Sequence, residues 1–195
     1  MRIRETFIEV AGQRSYNDDN RIHSEQPRRD DPVRIAICDD EQAIRQRLQS
    51  ALKSSEAMPR NATISGFPDG KLLLKCHKEN PYNIIFLDIE MPEISGLEVA
   101  RKIRRADKEA IIIFVTGHQK YASEAIGGIQ PFDFIKKPFD NGSIGDVLNR
   151  AIAKHKEQHY LLSIRGSKDV ETLVVSKIVF LDAFEGMVGF VTKNG

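Results

Sequence analysis

The feature that most constrains the fold is a fivefold alternation, starting at residue 33, of short apolar runs with longer amphipathic segments. Each run is of strand length and apolar throughout, as expected for parallel strands that are covered on both faces. These runs are residues 33–38, 62–67, 84–87, 110–115 and 132–135. The segments between and after them carry apolar residues at the three-to-four spacing of a helix. They are residues 42–53, 70–79, 96–106, 119–126 and 143–154.

Five β-α units in succession predict a doubly wound α/β fold with a five-stranded parallel sheet. Right-handed crossovers place helices on both faces of such a sheet, and five units suit the flavodoxin-like strand order 2-1-3-4-5. The 41% hydrophobic content is sufficient for a packed core. The longest apolar stretch, residues 110–115, is far shorter than the roughly 18 residues of a transmembrane helix. With only two cysteines and no signal peptide, we expect a cytoplasmic protein.

The residues on either side of this region have a different character. Residues 1–32 combine many charges with few large apolar side chains, which predicts a poorly ordered N-terminal extension. Residues 156–195 contain β-rich runs separated by turn residues and no helical segment, which predicts antiparallel β structure. We therefore expect three parts: the extension at residues 1–32, the α/β domain at 33–155 and a short, partial all-β domain at 156–195.

Polar residues follow the predicted strands that should lie side by side. In an open parallel sheet, ligands bind beyond the carboxyl ends of the strands, near the point where strand order reverses. Three carboxylates meeting there repel one another unless a cation neutralises them, and a hard ion such as Mg²⁺ suits oxygen ligands. The residues in question are Asp39, Asp40 and Glu41 after strand one, Asp88 after strand three, Thr116 after strand four, and Lys136 and Lys137 after strand five.

This constellation favours phosphoryl chemistry. Asp88 follows the central strand and is placed to act as a nucleophile that forms an acyl phosphate. Thr116 and Lys137 would then bind the phosphoryl oxygens. Taken singly, Asp39, Asp40 and Thr116 are equally consistent with helix N-caps. Their joint occurrence at the correct strand ends favours the site.

These residues lie in segments that resemble the receiver domain of bacterial two-component response regulators. The matching segments are residues 37–41, 85–92, 95–98, 115–117 and 134–139. The resemblance implies that Asp88 is the phosphoacceptor, that a sensor histidine kinase supplies the phosphoryl group, and that Asp39 and Asp40 help to hold Mg²⁺. It also implies that the backbone carbonyl of Glu90 completes the metal site. Such a protein is a phosphoacceptor switch, not an enzyme acting on a separate substrate.

The same resemblance implies roles for four further residues. Thr116 corresponds to the switch hydroxyl and Lys137 to the phosphate-binding lysine. Phe134 occupies the place of the switch aromatic, whose ring rotates when the hydroxyl is drawn towards the phosphoryl group. A Phe134 ring held fixed in the core is the alternative. The peptide bond before Pro138 is expected to be cis.

Later segments resemble receivers coupled to a LytTR output domain, which is an all-β DNA-binding fold. Residues 116–122 and 132–134 carry the receiver part of this likeness, and residues 162–166, 175–183 and 191–195 look like the opening strands of the output domain. The likeness implies transcription regulation. Because an ordinary domain runs to roughly a hundred residues, we expect residues 156–195 to be partial and promoter DNA to bind only if the LytTR domain is completed. DNA-contacting residues stay unassigned.

The resemblance also implies a homodimer and leaves a second function open. The dimer face would be the fourth helix at residues 119–126, the fifth strand and the fifth helix at 143–154. The alternative is a phosphorylation-dependent protein–protein signalling module without DNA binding. An aspartyl phosphatase of the haloacid dehalogenase class is disfavoured because its nucleophile follows strand one, with a second aspartate two positions later. The net charge of +1 gives no general field for nucleic acid.

Overall fold

The computed structural model describes residues 3–9, 23–25, 32–117, 129–158, 161–165, 170–174, 178–184 and 187–193. The chain divides into two compact units. One is an α/β unit, Asp30–His155, and the other is a β unit made of Met1–Arg29 together with Lys156–Gly195. The helix predicted at residues 119–126, which is one of the three elements of the predicted dimer face, lies outside the described residues.

The β unit combines strands from both ends of the chain. Its strands are β1 (Ile3–Glu9), β2 (His23–Glu25), β8 (Leu161–Arg165), β9 (Val170–Val174), β10 (Ile178–Phe184) and β11 (Met187–Lys193). They form two three-stranded sheets, with the orders β1-β11-β10 and β2-β8-β9. The pairs β8–β9 and β10–β11 are antiparallel, which is the arrangement predicted for residues 156–195.

Strands β1 and β2 differ from the poorly ordered extension expected for residues 1–32. β1 runs antiparallel to β11 over seven residues, with Ile3 opposite Lys193 and Glu9 opposite Met187. β2 pairs with β8. Both partners lie near the opposite end of the chain, and β structure depends on such neighbours more than on intrinsic preference. The partners of these strands therefore could not be predicted from residues 1–32 themselves.

The pairing of β1 with β11 predicts that deleting Met1–Glu9 lowers the protection of β11 amides against hydrogen exchange. Without β1, the β11 amides that bond to β1 lose their partners and exchange with solvent. Hydrogen exchange followed by mass spectrometry should show faster exchange across Met187–Lys193. The β8–β9 pair belongs to the other sheet and serves as the internal control. Unchanged exchange of β11 would contradict the assigned pairing.

The α/β unit holds a five-stranded sheet in which every neighbouring pair is parallel. Its strands are β3 (Arg34–Cys38), β4 (Thr63–Phe67), β5 (Ile84–Leu87), β6 (Ile111–Thr116) and β7 (Asp133–Lys136). Their order is β4-β3-β5-β6-β7, which confirms the predicted order 2-1-3-4-5. The described helices are α1 (Gln42–Ser54), α2 (Gly70–Glu79), α3 (Gly96–Ala106) and a last helix, α4 (Asn141–Gln158). Among the described residues, no helix has the length and apolar character to cross a membrane.

Successive strand residues enter opposite halves of the core. In β3, Ile35 and Ile37 join a cluster that includes residues of α1 and α4. Ala36 and Cys38 join a second cluster that includes residues of α2 and α3. Because the strands bury side chains on both faces, they are apolar throughout rather than alternating with polar residues. This burial leaves the strand ends as the places where polar side chains collect.

Cys38 is completely buried, and this predicts an inert thiol. Burial, together with the negative charges of Asp69 and Asp39, raises the pKa of the Cys38 thiol to about 12, whereas the thiolate is the reactive form. Cys76 is partly exposed. Iodoacetamide at pH near 8 should therefore alkylate Cys76 and spare Cys38 in the folded protein, and mass spectrometry should find both modified in denaturant. Equal labelling of both thiols in the folded protein would be the contrary result.

Candidate functional site

Four neighbouring strands bring their carboxyl ends to one edge of the sheet, and the candidate residues lie there. Main-chain hydrogen bonds tie the segments together. The Asp88 amide donates to the Cys38 carbonyl at 2.8 Å, and the Lys137 amide donates to the Thr116 carbonyl at 2.9 Å. The Asp39 amide donates to the Phe67 carbonyl at 3.1 Å. These bonds join the ends of three neighbouring segments, at Asp39, Phe67 and Asp88, and separately join the two segments that carry Thr116 and Lys137.

The Lys137 ammonium lies between two buried carboxylates. Its Nζ is 2.6 Å from Asp39 Oδ2 and 3.0 Å from Asp88 Oδ2. The other oxygen of each carboxylate accepts a main-chain hydrogen bond, from Glu41 N at 2.9 Å to Asp39 Oδ1 and from Ile89 N at 2.8 Å to Asp88 Oδ1. Every carboxylate oxygen of the two aspartates therefore has a defined orientation.

Burial and neighbouring charges shift the pKa values of Asp88 and Lys137 in opposite directions. Burial raises the pKa of Asp88, and the hydrogen bond and positive charge of Lys137 only partly offset that rise. For Lys137, burial lowers the pKa, but the hydrogen bonds and negative charges of Asp39 and Asp88 together outweigh it, so that the pKa is raised. The lysine therefore stays protonated at neutral pH and holds its positive charge against the two carboxylates.

Three carboxylates at this edge form an oxygen-donor set for a hard cation. One oxygen from each of Asp39, Asp40 and Asp88 lies within 4.8 Å of the others. Asp40 is exposed, whereas Asp39 and Asp88 are buried. Oxygen donors gathered from one side fit Mg²⁺, which keeps several waters in its coordination shell. The residues present are thus compatible with the predicted metal.

The remaining predicted residues lie around this group. Thr116 is buried at the end of β6. Because Leu87 is opposite Phe114 in the sheet, Thr116 lies one residue beyond the level of Asp88. Glu90 is exposed in the loop that follows Asp88. The Lys137–Pro138 peptide bond is cis, the isomer that the resemblance implies.

Phe134 lies in β7 and is partly buried. Its ring packs against Phe114, with 5.5 Å between the ring centroids and 30° between the ring planes. Phe134 thus borders the core cluster that includes α2 and α3. The structure holds one position of this ring, and the rotation implied by the resemblance stays a prediction.

The N-cap alternative for the acidic pair does not describe the start of α1. The N-cap is Glu41, and its side chain makes no capping hydrogen bond. Asp39 instead accepts the Glu41 amide two residues later. At α2 and α3, by contrast, Asp69 and Ser95 are N-caps with capping side chains. The first two acidic residues after β3 are therefore available for the site.

Two residues that the sequence reasoning did not assign to the site support its geometry. The Gly96 amide donates to the Ile89 carbonyl at 2.9 Å, and a Cβ on Gly96 would lie 1.9 Å from the Asp88 carbonyl oxygen. The Arg45 guanidinium donates from Nη1 to the carbonyls of Asp39 and Asp40. Gly96 lay within a matched motif, and only its close approach to the Asp88 backbone reveals its role. Arg45 carried no signal beyond its place in α1.

Comparisons with known proteins identify the family to which residues 35–149 belong. The sequence model of the family described as "Response regulator receiver domain" matches residues 35–149. The "Sensory transduction protein LytT" of Oceanobacillus iheyensis is 33% identical over 168 residues, covering 84% of this chain and 64% of LytT. The "Transcriptional regulatory protein YpdB" of Escherichia coli is 29% identical over 126 residues, covering 65% of this chain and 50% of YpdB. The chain thus spans one half to just under two thirds of these relatives.

A solved structure gives the same result for the fold. The response regulator protein TrrA of Thermotoga maritima, solved in complex with Mg²⁺ and BeF, superposes with a TM-score of 0.54. It is 32% identical, and the match covers 60% of this chain and 97% of TrrA. The family match spans more than half of the chain and includes all three carboxylates, Thr116 and Lys137. The chain therefore belongs to the response regulator receiver domain family of two-component signalling proteins.

Proposed function

We propose that Asp88 is the residue that accepts the phosphoryl group and that Asp39, Asp40, Thr116 and Lys137 form its surroundings. The observation that carries this proposal is the position of Lys137 Nζ between Asp39 and Asp88. A fixed cation beside an aspartate at the carboxyl end of the sheet stabilises the negative charge of an incoming phosphoryl group. The donor is the phosphohistidine of a sensor histidine kinase.

The transfer is a substitution at phosphorus. A carboxylate oxygen of Asp88 forms a bond to phosphorus while the bond between phosphorus and the donor nitrogen breaks. The bonding electron pair returns to the donor imidazole. The phosphoryl group ends on Asp88 as an acyl phosphate, and Lys137 is close enough to pair with its oxygens. Thr116, buried at the end of β6, supplies a hydroxyl donor for these oxygens.

Mg²⁺ fits the acidic group beside Asp88. Asp39, Asp40 and Asp88 would hold it, together with the backbone carbonyl of Glu90, and the ion supplies positive charge against the phosphoryl oxygens. The chain itself orients the ligands. Asp39 and Asp88 each have one carboxylate oxygen fixed by a main-chain amide. The Mg²⁺ complex of TrrA supports this assignment.

A beryllofluoride experiment tests the assignment without a kinase. Beryllofluoride with Mg²⁺ stands in for the phosphoryl group, and fluorine NMR reports the bound species. We expect a protein-bound signal that requires Mg²⁺ and is lost in Asp88→Asn. The matched control is Asp146→Asn, which removes an exposed carboxylate on α4 and should keep the signal. A bound signal in Asp88→Asn would overturn the assignment.

For the output, we propose that phosphorylation draws Thr116 inward, reorients Phe134 and controls a LytTR-type output in transcription. The match to LytT is longer than residues 35–149, so the likeness extends beyond the receiver domain. The likeness to YpdB, which is named a transcriptional regulatory protein, supports a role in transcription. The β structure of residues 161–165, 170–174, 178–184 and 187–193 is of the expected class.

The partner surface, the cytoplasmic location and the alternative output remain predictions. A homodimer would form through the face that includes β7 and α4. Sedimentation velocity with and without beryllofluoride tests it, and a sedimentation coefficient that does not change would speak against a phosphorylation-driven dimer.

A module that signals only through protein contacts would respond to beryllofluoride without gaining affinity for promoter DNA.

A further inference from the structure

Arg45, in the first half of α1, contacts the backbone that carries two of the three acidic residues proposed to hold the metal. Its Nη1 donates to the Asp39 carbonyl at 2.6 Å and to the Asp40 carbonyl at 2.9 Å. The side chain is partly buried. Its Cδ lies 3.9 Å from the position that a Cβ on Gly66 would occupy, so its aliphatic part lies beside Gly66 of β4. The guanidinium is therefore bound to the main chain through Nη1, and its aliphatic stem packs beside Gly66.

The contacts of Arg45 differ from those of Lys137. Lys137 binds carboxylate oxygens of Asp39 and Asp88. Arg45 binds main-chain carbonyl oxygens of two consecutive residues. A guanidinium presents several donors in a rigid plane, and binding two successive carbonyls through one nitrogen restricts the Asp39–Asp40 peptide relative to the one that follows Asp40. The directions of the Asp39 and Asp40 side chains depend on that peptide.

We propose that Arg45 is a positioning residue for magnesium: it fixes the Asp39–Asp40 peptide so that both carboxylates are oriented for the ion. This inference rests on the proposed function, because it takes the acidic group to be the metal site. Groups that orient metal ligands without touching the metal commonly affect affinity by roughly 10- to 100-fold. Arg45 also places a positive charge near the site, which by itself opposes the binding of a cation.

The two effects of Arg45 on metal affinity have opposite signs, and this makes the proposal testable. Arg45→Met keeps the aliphatic part and removes the donors and the charge. If Arg45 positions the ligands, the variant binds Mg²⁺ roughly tenfold more weakly. If Arg45 acts only through its charge, the variant binds Mg²⁺ more tightly. If Arg45 only stabilises α1, the melting temperature in EDTA falls and the Mg²⁺ affinity of the folded protein is unchanged.

The measurement is isothermal titration of the full chain with MgCl₂. Arg101→Met removes the same side chain from an exposed position on α3 and should leave the affinity unchanged. Arg45→Lys keeps the charge and one donor group and should recover most of the loss. Tighter or unchanged binding by Arg45→Met overturns the proposal. Absence of Mg²⁺ binding by the wild type, or binding that survives Asp40→Asn, would instead overturn the metal site of the proposed function.

Discussion

Alanine at Gly96 is expected to destabilise the α/β unit by about 3 kcal/mol, the upper end of the usual cost of overpacking. A Cβ at this position would lie 1.9 Å from the carbonyl oxygen of Asp88 and 3.0 Å from Cα of Ile89. Both contacts are with backbone, which cannot rotate away as a long side chain can. Either α3 or the Asp88 loop has to move, and the Gly96–Ile89 main-chain hydrogen bond is lost with that movement.

The measurement is the free energy of unfolding of the full chain in urea. Gly145→Ala is the matched control. Gly145 lies within α4 and has the Ser55 hydroxyl at 3.4 Å from an added Cβ. Alanine there is expected to be neutral or to stabilise the helix by up to about 1 kcal/mol. Equal unfolding midpoints for Gly96→Ala and the wild type would refute the close approach of α3 to the Asp88 backbone.

Methionine at Lys137 is expected to cost about 3 kcal/mol at neutral pH in the absence of metal. The substitution leaves the buried carboxylates of Asp39 and Asp88 without their shared cation, and an uncompensated buried charge is strongly destabilising. Lys136→Met is the matched control, because Lys136 is the preceding residue and is exposed. Its loss should change the free energy of unfolding by no more than about 0.5 kcal/mol.

The pH dependence of the Lys137→Met deficit follows from the pKa of Asp88. Burial already raises this pKa above its ordinary value of 3.8, and Lys137 opposes the rise. Without the lysine, the folded-state pKa rises further. A carboxyl whose folded pKa exceeds its unfolded pKa stabilises the protein when protonated, and this contribution is lost as pH rises through the folded pKa. The deficit should therefore shrink in acid and grow towards neutral pH. Urea unfolding of Lys137→Met and the wild type, in acid and at neutral pH, measures the deficit. A loss of unfolding free energy that is equal under the two conditions would contradict this account.

The sheet and the polar group at its edge could be predicted from local pattern because the physics is local. A strand such as β5, buried on both faces, must be apolar at every position, and the predicted run at residues 84–87 coincides with it. Asp88 follows it directly. Once the strand order is known, residues that follow neighbouring strands are expected to converge. The grouping of Asp39, Asp88 and Lys137 could therefore be predicted from the sequence alone.

The remaining features depend on contacts that local pattern does not contain. Strand β1 pairs with β11 at the other end of the chain, and the sequence of β1 does not specify that distant partner. The role of Gly96 rests on its distance from one carbonyl oxygen. The role of Arg45 rests on the direction of its side chain, which places Nη1 against the Asp39 and Asp40 carbonyls. Charged residues on α1 are ordinary, and sequence alone does not distinguish a solvated arginine from one that binds the loop.

The central claim, that Asp88 accepts a phosphoryl group with the help of Mg²⁺, is tested most directly by intact mass. The full chain is incubated with acetyl phosphate with and without Mg²⁺, alongside Asp88→Asn and the Asp146→Asn control. The account predicts one phosphoryl adduct in the wild type and in Asp146→Asn that requires Mg²⁺, and none in Asp88→Asn. An adduct of equal yield in Asp88→Asn, or no adduct on folded wild-type protein, would contradict it.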